Sequence, residues 1–208
     1  NDTAFIRGKY VERFEKNLSK MYGINHCIGV GNGTDAIYLA LRALNIGAGD
    51  EVITVCNSWI STSEVISQAG ASVRFVDIEP DNFNIDVNQI ESVINKNTKA
   101  IIPVHLYGQP VKNMDLLVEI ANKHSLFIIE DCAQAIFSEF KNQYVGTFGD
   151  IATISFYPGK NLGAFGDAGA VITNDDNLAE KVRMMANHGQ KVKHSHKYEG
   201  INSRMDGL

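Results

Sequence analysis

One lysine in this chain stands where a side-chain amine can do covalent chemistry. Residues 155–170 read Ser-Phe-Tyr-Pro-Gly-Lys-Asn-Leu-Gly-Ala-Phe-Gly-Asp-Ala-Gly-Ala, with Lys160 set among Gly159, Gly163, Gly166 and Gly169. Glycines at these positions let backbone pass close to a planar ligand, and Ile151, Ile154 and Phe156 just upstream anchor the segment in a core. A lysine held this way forms a Schiff base with a carbonyl once its amine loses a proton, which burial and neighbouring groups promote. A surface lysine in a glycine-rich turn is the plainer reading, and Lys160 alone does not decide between them.

Four further features bear on the choice. Gly29-Val30-Gly31-Asn32-Gly33-Thr34-Asp35 follows a strand-like run and opens a helical pattern with Ile37, Leu41 and Leu44. The free amides and the dipole at such a helix start suit a phosphate, though a tight structural turn reads equally well. It is not a dinucleotide fingerprint, because the third glycine position holds Thr34, and it has no Walker lysine. Asp131 follows the apolar run Leu126-Phe127-Ile128-Ile129 at the carboxyl end of an expected strand, where open α/β sheets place ligands. A carboxylate there can hold a pyridine nitrogen protonated, with Gln134 one turn on within reach of a phenolic oxygen; alternatively Asp131 caps the next helix. Trp59, the one tryptophan, lies past another strand end, where its ring can stack on an aromatic cofactor or pack into the core. Ser155, five residues before Lys160, can donate to a phosphate or satisfy backbone. Together these residues supply a phosphate cradle, a stacking ring, an acid for a pyridine nitrogen and a Schiff-base lysine. That set matches the needs of pyridoxal 5'-phosphate.

The elements that must position these groups alternate along the chain. Short β-branched runs predict strands over 27–30, 51–55, 73–76, 100–104, 126–130, 151–155 and 170–173, and helical spacing predicts helices over 10–22, 34–44, 60–69, 87–94, 113–124 and 178–187. Alternation of this kind predicts an α/β fold with a mostly parallel seven-stranded sheet flanked by helices. Asp86 is suited to cap the helix that starts at Val87, and the glycines of Asn45-Ile46-Gly47-Ala48-Gly49-Asp50 to end the second helix. The expected organisation is a helical segment over 1–27, a cofactor-binding large domain over 28–190, and from 191 to 208 the start of a connection to a further domain.

Composition narrows the function classes. The 208 residues are 44% hydrophobic, ample for a core, and carry 19 basic against 24 acidic side chains for a formal net charge of -5. The only basic cluster, Lys191, Lys193, His194, His196 and Lys197, reads as a solvated loop or an anion contact, so no nucleic-acid partner is expected. Cys27, Cys56 and Cys132 are scattered, which predicts neither disulfides nor a zinc site and fits a reducing cytoplasm. His105, His188, His194 and His196 lack a second ligand at helical spacing, and no metal site is expected. No apolar run nears the roughly 20 residues of a membrane span, and the first eight residues show no signal-peptide pattern.

At these residues the chain resembles the sugar aminotransferases of the DegT/StrS type, within the fold-type I pyridoxal phosphate enzymes. The resemblance runs through Gly31-Asn32-Gly33-Thr34-Asp35-Ala36, Gly47-Ala48-Gly49-Asp50-Glu51-Val52-Ile53, Pro103-Val104-His105-Leu106-Tyr107-Gly108, Glu130-Asp131-Cys132-Ala133-Gln134, Tyr157-Pro158-Gly159-Lys160-Asn161-Leu162-Gly163 and Gly200-Ile201-Asn202-Ser203-Arg204-Met205-Asp206. It implies that Lys160 bonds the cofactor carbonyl, Asp131 faces the ring nitrogen, Gln134 reaches the phenolic oxygen and Trp59 stacks on the ring. Gly33, Thr34, Asp35 and Ser155 would hold the phosphate, completed by Asn202 from the second subunit of a homodimer. Related deoxygenating enzymes carry histidine in place of Lys160, so the resemblance implies transamination, by a ping-pong route from L-glutamate to a nucleotide-linked keto-deoxysugar. The stretch 157–164 looks most like members that aminate C3. Family members are nearly twice as long, so a C-terminal small domain is expected after Leu208. A regulator that binds pyridoxal phosphate or a sugar nucleotide without turnover is the alternative.

Overall fold

The computed structural model describes residues 5–208. The first helix, α1 (Lys9–Tyr22), leads into β1 (His26–Val30), α2 (Gly33–Ala43), β2 (Glu51–Val55), α3 (Ser61–Gln68), β3 (Ser72–Val76), α4 (Val87–Val93) and β4 (Thr98–Ile102). After a short 3-10 turn at Leu106–Gly108 come α5 (Met114–His124), β5 (Phe127–Asp131), and the small hairpin β6 (Glu139–Phe140) and β7 (Gln143–Tyr144). The chain continues through β8 (Ile151–Ser155), β9 (Gly169–Thr173), α6 (Asp176–Met185) and a second hairpin, β10 (Gln190–Val192) and β11 (Ser195–His196). Every strand and helix expected from the sequence forms, with ends displaced by no more than two residues.

Seven strands make one sheet in the order β1-β9-β8-β5-β4-β2-β3. All run parallel except β9, which pairs antiparallel with both β1 and β8. Side chains alternate across the strands, so each sends its neighbours to opposite faces. On one face Val30, Val52, Ile102, Ile129 and Val171 pack under α2, α3 and α6. On the other, Ile53, Val55, Ile101 and Ile128 lie under α4 and α5. Beside them Ala152, Ile154 and Ile172 lie under α1. Burial on both faces explains why the central strands read as unbroken apolar runs. The layering aligns the carboxyl ends of β1, β2, β4, β5 and β8 on one edge, and there the candidate residues gather.

Two hairpins were not expected. The strands β6 and β7 carry two residues each and exist because Tyr144 packs on Tyr22 and Phe137, and Phe140 on Phe148. The basic segment 190–196 folds back as β10 and β11, with Lys191 paired to Glu180. After it, residues 201–203 pair with the end of α6: His188 N–H donates to the Ile201 carbonyl at 3.0 Å, and Ser203 N–H to that of Ala186 at 3.0 Å.

Candidate functional site

A cavity of about 410 Å³ opens at the carboxyl edge of the sheet. Gly33, Thr34, Trp59, Asp131, Gln134, Ser155 and Lys160 all line it, over an apolar wall that includes Ile37, Val104 and Leu106. Two residues expected at the site do not. Asp35 lies beside the cavity, and exposed Asn202 is paired through its backbone with Asn187.

The phosphate-type end is built at the start of α2. Asn32 caps the helix: its Oδ1 accepts the Asp35 N–H at 2.7 Å, and its Nδ2 donates to the Asp35 carboxylate at 3.0 Å. Asp35 is thereby spent on ordering the turn. The N–H groups of Gly33 and Thr34 have no acceptor among the described residues. Orphan amides at a helix N-terminus favour an anion. Hydroxyls surround them. Thr34 Oγ1 and Ser61 Oγ lie 2.8 Å apart, one donating to the other, which leaves one hydroxyl proton for a ligand. Ser155 Oγ accepts the Tyr157 N–H at 3.3 Å, so its own proton is free to donate.

Glycine at position 33 has a steric cause. A Cβ there would lie 2.7 Å from the Cβ of Ser155, so only glycine lets β8 approach the helix start. The earlier glycines of this loop serve packing instead. A Cβ on Gly31 would stand 3.1 Å from Ser203 Oγ, and one on Gly29 3.1 Å from Met205, while Gly31 N–H donates to Ser203 Oγ at 3.0 Å.

The acidic end is Asp131, the last residue of β5 and only 4% exposed. Its Oδ1 accepts the Ala133 N–H at 3.1 Å and its Oδ2 the Thr62 hydroxyl at 2.9 Å. Burial pushes its carboxyl above the ordinary range, opposed by those hydrogen bonds and the nearby positive charge of Lys160. The Lys160 amine makes no hydrogen bond or ion pair among the described residues. Gln134 is oriented from below: its Oε1 accepts the Tyr107 N–H at 2.7 Å, leaving Nε2 as a donor for the cavity. Trp59 stands 73% exposed at the rim rather than in the core.

Beneath Asp131 lies a buried polar lock. Glu130 Oε1 accepts the N–H groups of Phe148 and Gly149, each at 2.8 Å. Its Oε2 takes the Gly146 N–H at 2.7 Å and His105 Nε2 at 3.0 Å. His105 Nδ1 in turn accepts the Val111 N–H at 3.0 Å, which assigns the neutral tautomer with its proton on Nε2. His105, Glu130 and Cys132 stand close enough together to share an ion. Both ring nitrogens and both carboxylate oxygens are already engaged, so the cluster works as a hydrogen-bond lock.

Ser58, Ser61 and Thr62 were not singled out by sequence reasoning. Ser58 stands in the loop before α3 and Thr62 in its first turn, and their hydroxyls lie 2.8 Å apart.

A family model, the DegT/DnrJ/EryC1/StrS aminotransferase family, matches residues 1–208. A "pleiotropic regulatory protein" of Geobacillus stearothermophilus is 50% identical over 99% of the chain and 55% of its own length. A UDP-N-acetyl-3-dehydro-alpha-D-glucosamine 3-aminotransferase of Acidithiobacillus ferrooxidans is 46% identical over 100% of the chain and 56% of its own. Among solved structures, DesV of S. venezuelae, in complex with a ketimine intermediate, superposes with a TM-score of 0.96 at 42% identity, covering 99% of this chain and 55% of that one. NtdA of Bacillus subtilis, with bound cofactor PMP, does so with a TM-score of 0.92 at 40% identity, covering 98% and 46%. The chain thus spans about half the length of the curated relatives it matches.

Proposed function

Because the chain belongs to the DegT/DnrJ/EryC1/StrS aminotransferase family, we propose that it binds pyridoxal 5'-phosphate in the cavity at the sheet's carboxyl edge. We further propose that the protein transfers an amino group from L-glutamate to a nucleotide-linked keto-deoxysugar, at C3. The observation that carries this reading is the meeting, around one cavity, of a buried carboxylate and a lysine amine that makes no hydrogen bond or ion pair among the described residues. The C3 position is supported by the 3-aminotransferase name of the Acidithiobacillus relative.

The donor set suits the cofactor. Two free amides and the hydroxyls of Thr34, Ser61 and Ser155 match a phosphate dianion. Asp131 keeps lone pairs on the cavity side, and Gln134 keeps a donor there. When bound, the cofactor supplies a carbonyl carbon that amines attack and a ring that takes up electrons.

The chain's residues then divide the work. Lys160 Nζ would hold the carbonyl carbon until an amino donor takes its place, and would then move the proton from the donor's α-carbon to that carbonyl carbon. Asp131 holds a proton on the ring nitrogen, and Gln134 Nε2 donates to the phenolic oxygen. Trp59 covers a ring face and keeps water from it. Asp35 and Asn32 keep the phosphate turn in shape. Asn202, outside this cavity, would reach the phosphate end of a second copy in a homodimer. On this reading residues 28–190 are the cofactor-binding unit, the helical segment expected over 1–27, of which 1–4 lie outside the described residues, leads into it, and 191–208 are the connection to a small domain. No described helix is long and apolar enough to cross a membrane; a cytoplasmic setting accords with the expected reducing environment, and no nucleic-acid partner is proposed.

The test is the visible absorption of the full-length protein with pyridoxal phosphate, beside Lys160→Ala, before and after borohydride and glutamate. A band that glutamate removes, that borohydride traps and that the variant lacks is the expected result. No band in the wild type would end this reading. A band that glutamate and keto-sugar nucleotides leave unchanged would favour a binding-only regulator, a role that gives Lys160 and Asp131 less to do.

A further inference from the structure

Two adjacent hydroxyls at the start of α3 tie down opposite ends of the cavity. Ser61 meets Thr34 at the phosphate-type end, and Thr62 meets Asp131 at the acidic end. Thr62 is 1% exposed, so its interactions are those of the protein alone. It owns one proton, given to Asp131 Oδ2 at 2.9 Å. Its oxygen lies 2.8 Å from Ser58 Oγ, which must then be the donor. The result is a directed chain, Ser58 to Thr62 to Asp131. With Ala133 N–H on Oδ1, each carboxylate oxygen carries one donor from the protein and turns its remaining acceptor capacity toward the cavity.

We propose that Thr62 is a positioning residue, which acts through Asp131 by fixing the carboxylate's rotamer and keeping it ionised to hold a proton on the cofactor's ring nitrogen. The inference rests on the reading of the cavity as a pyridoxal phosphate site. The other groups facing Asp131 do not replace this hydroxyl. Lys160 lines the same cavity and is committed to the carbonyl on that reading. His105 lies behind as the neutral tautomer, its proton directed at Glu130. Burial meanwhile favours the neutral acid, the direction Thr62 opposes. A hydroxyl proton given to a carboxylate stabilises the charged form, and the directed chain makes Ser58 a second contributor.

The experiment compares wild type, Thr62→Val, Thr62→Ser and Ser58→Ala in the full-length protein. It reads the affinity for pyridoxal phosphate, the pH midpoint of the bound cofactor's visible band, and thermal unfolding without cofactor. Thr62→Val, close in shape, is expected to bind the cofactor roughly tenfold more weakly, the size of one lost hydrogen bond to a charged group. Its band midpoint should move to higher pH, because a ring nitrogen that loses its proton withdraws fewer electrons. Thr62→Ser should restore both, and Ser58→Ala should move both by less in the same direction. Wild-type affinity and midpoint in a folded Thr62→Val would overturn the proposal while leaving the site reading intact. A wild type that takes up no cofactor would overturn both. Should Thr62→Val fail to fold, Ser58→Ala decides, and an unmoved midpoint there overturns the proposal.

Discussion

The backbone amide of Tyr107 donates to Oε1 of Gln134 at 2.7 Å, and it does so from a left-handed backbone, at φ 57°. A tyrosine there costs on the order of 1 kcal/mol or more, so the surrounding loop must hold it. Asn84 does so, accepting the Leu106 N–H at 3.0 Å and donating to the Gln109 carbonyl at 2.9 Å. With its oxygen tied, Gln134 can offer the cavity only a nitrogen donor. Gln134→Glu keeps an oxygen for Tyr107 and replaces that donor with an acceptor. It should fold as the wild type does and bind pyridoxal phosphate roughly tenfold more weakly. Titration by absorbance measures this, and equal affinity would show that the nitrogen is not the contacting group.

Gly33 and Ser155 are coupled by space. The methyl of Gly33→Ala would lie 2.7 Å from the Ser155 Cβ, so β8 or the start of α2 must give way. Overpacking of this kind costs ~1–3 kcal/mol, and here it also displaces the amides that face the cavity. Ser155→Gly in the same background should recover part of the stability, with a coupling energy above ~0.5 kcal/mol. Urea unfolding of the two single variants and the double variant tests this. Additive losses would mean that the backbone absorbs the methyl without meeting Ser155.

Glu130 should tolerate no change of charge. Its oxygens accept three backbone N–H groups and His105, so Glu130→Gln turns an NH2 toward donors whichever way the amide sits. Each buried donor left without an acceptor costs ~1–3 kcal/mol, and two are affected. The expected outcome is a large fall in thermal stability with loosening of residues 146–149, seen as faster amide exchange at Gly146, Phe148 and Gly149. Protection unchanged at these amides would contradict the lock.

The sheet was legible in the sequence because its central strands are buried on both faces and so read as unbroken apolar runs. Lys160, Asp131, Trp59, Gln134 and Ser155 were readable because each lies at, or a few residues past, the carboxyl end of a strand. What was hidden depends on distance in the chain. The glycines of the 29–33 loop looked like one phosphate cradle, yet Gly29 and Gly31 make room for Met205 and Ser203, more than 170 residues away. No local pattern encodes that contact. Asp35 was expected to hold the phosphate partly through its backbone amide, but that amide donates to Asn32 Oδ1 within its own turn. The hairpin 139–144 rests on aromatic packing against α1 and the following loop, which alternation over two-residue strands cannot signal.

Asp131 is held against its own electrostatic preference, and pH should expose this. Burial raises the folded carboxyl above the ordinary range of an aspartate. A group whose folded pKa is raised binds protons more tightly in the native state, so its stabilising contribution is complete below the unfolded pKa. That contribution is lost as pH rises through the folded value. Asp131→Asn removes this loss without breaking the local bonds. Its Oδ1 can accept the Ala133 N–H, its Nδ2 can donate to Thr62 Oγ1, and Thr62 can turn its proton to Ser58. Without cofactor, the variant should therefore be more stable than wild type at pH 8, with the advantage shrinking as pH falls through the folded pKa of Asp131. It should also hold pyridoxal phosphate more weakly at pH 8, because the ring nitrogen has lost its carboxylate. Thermal unfolding across pH, with and without cofactor, measures both. A variant that is less stable at pH 8 and recovers at low pH would mean that the carboxylate stabilises the empty fold, and that its charge is not retained for the ligand.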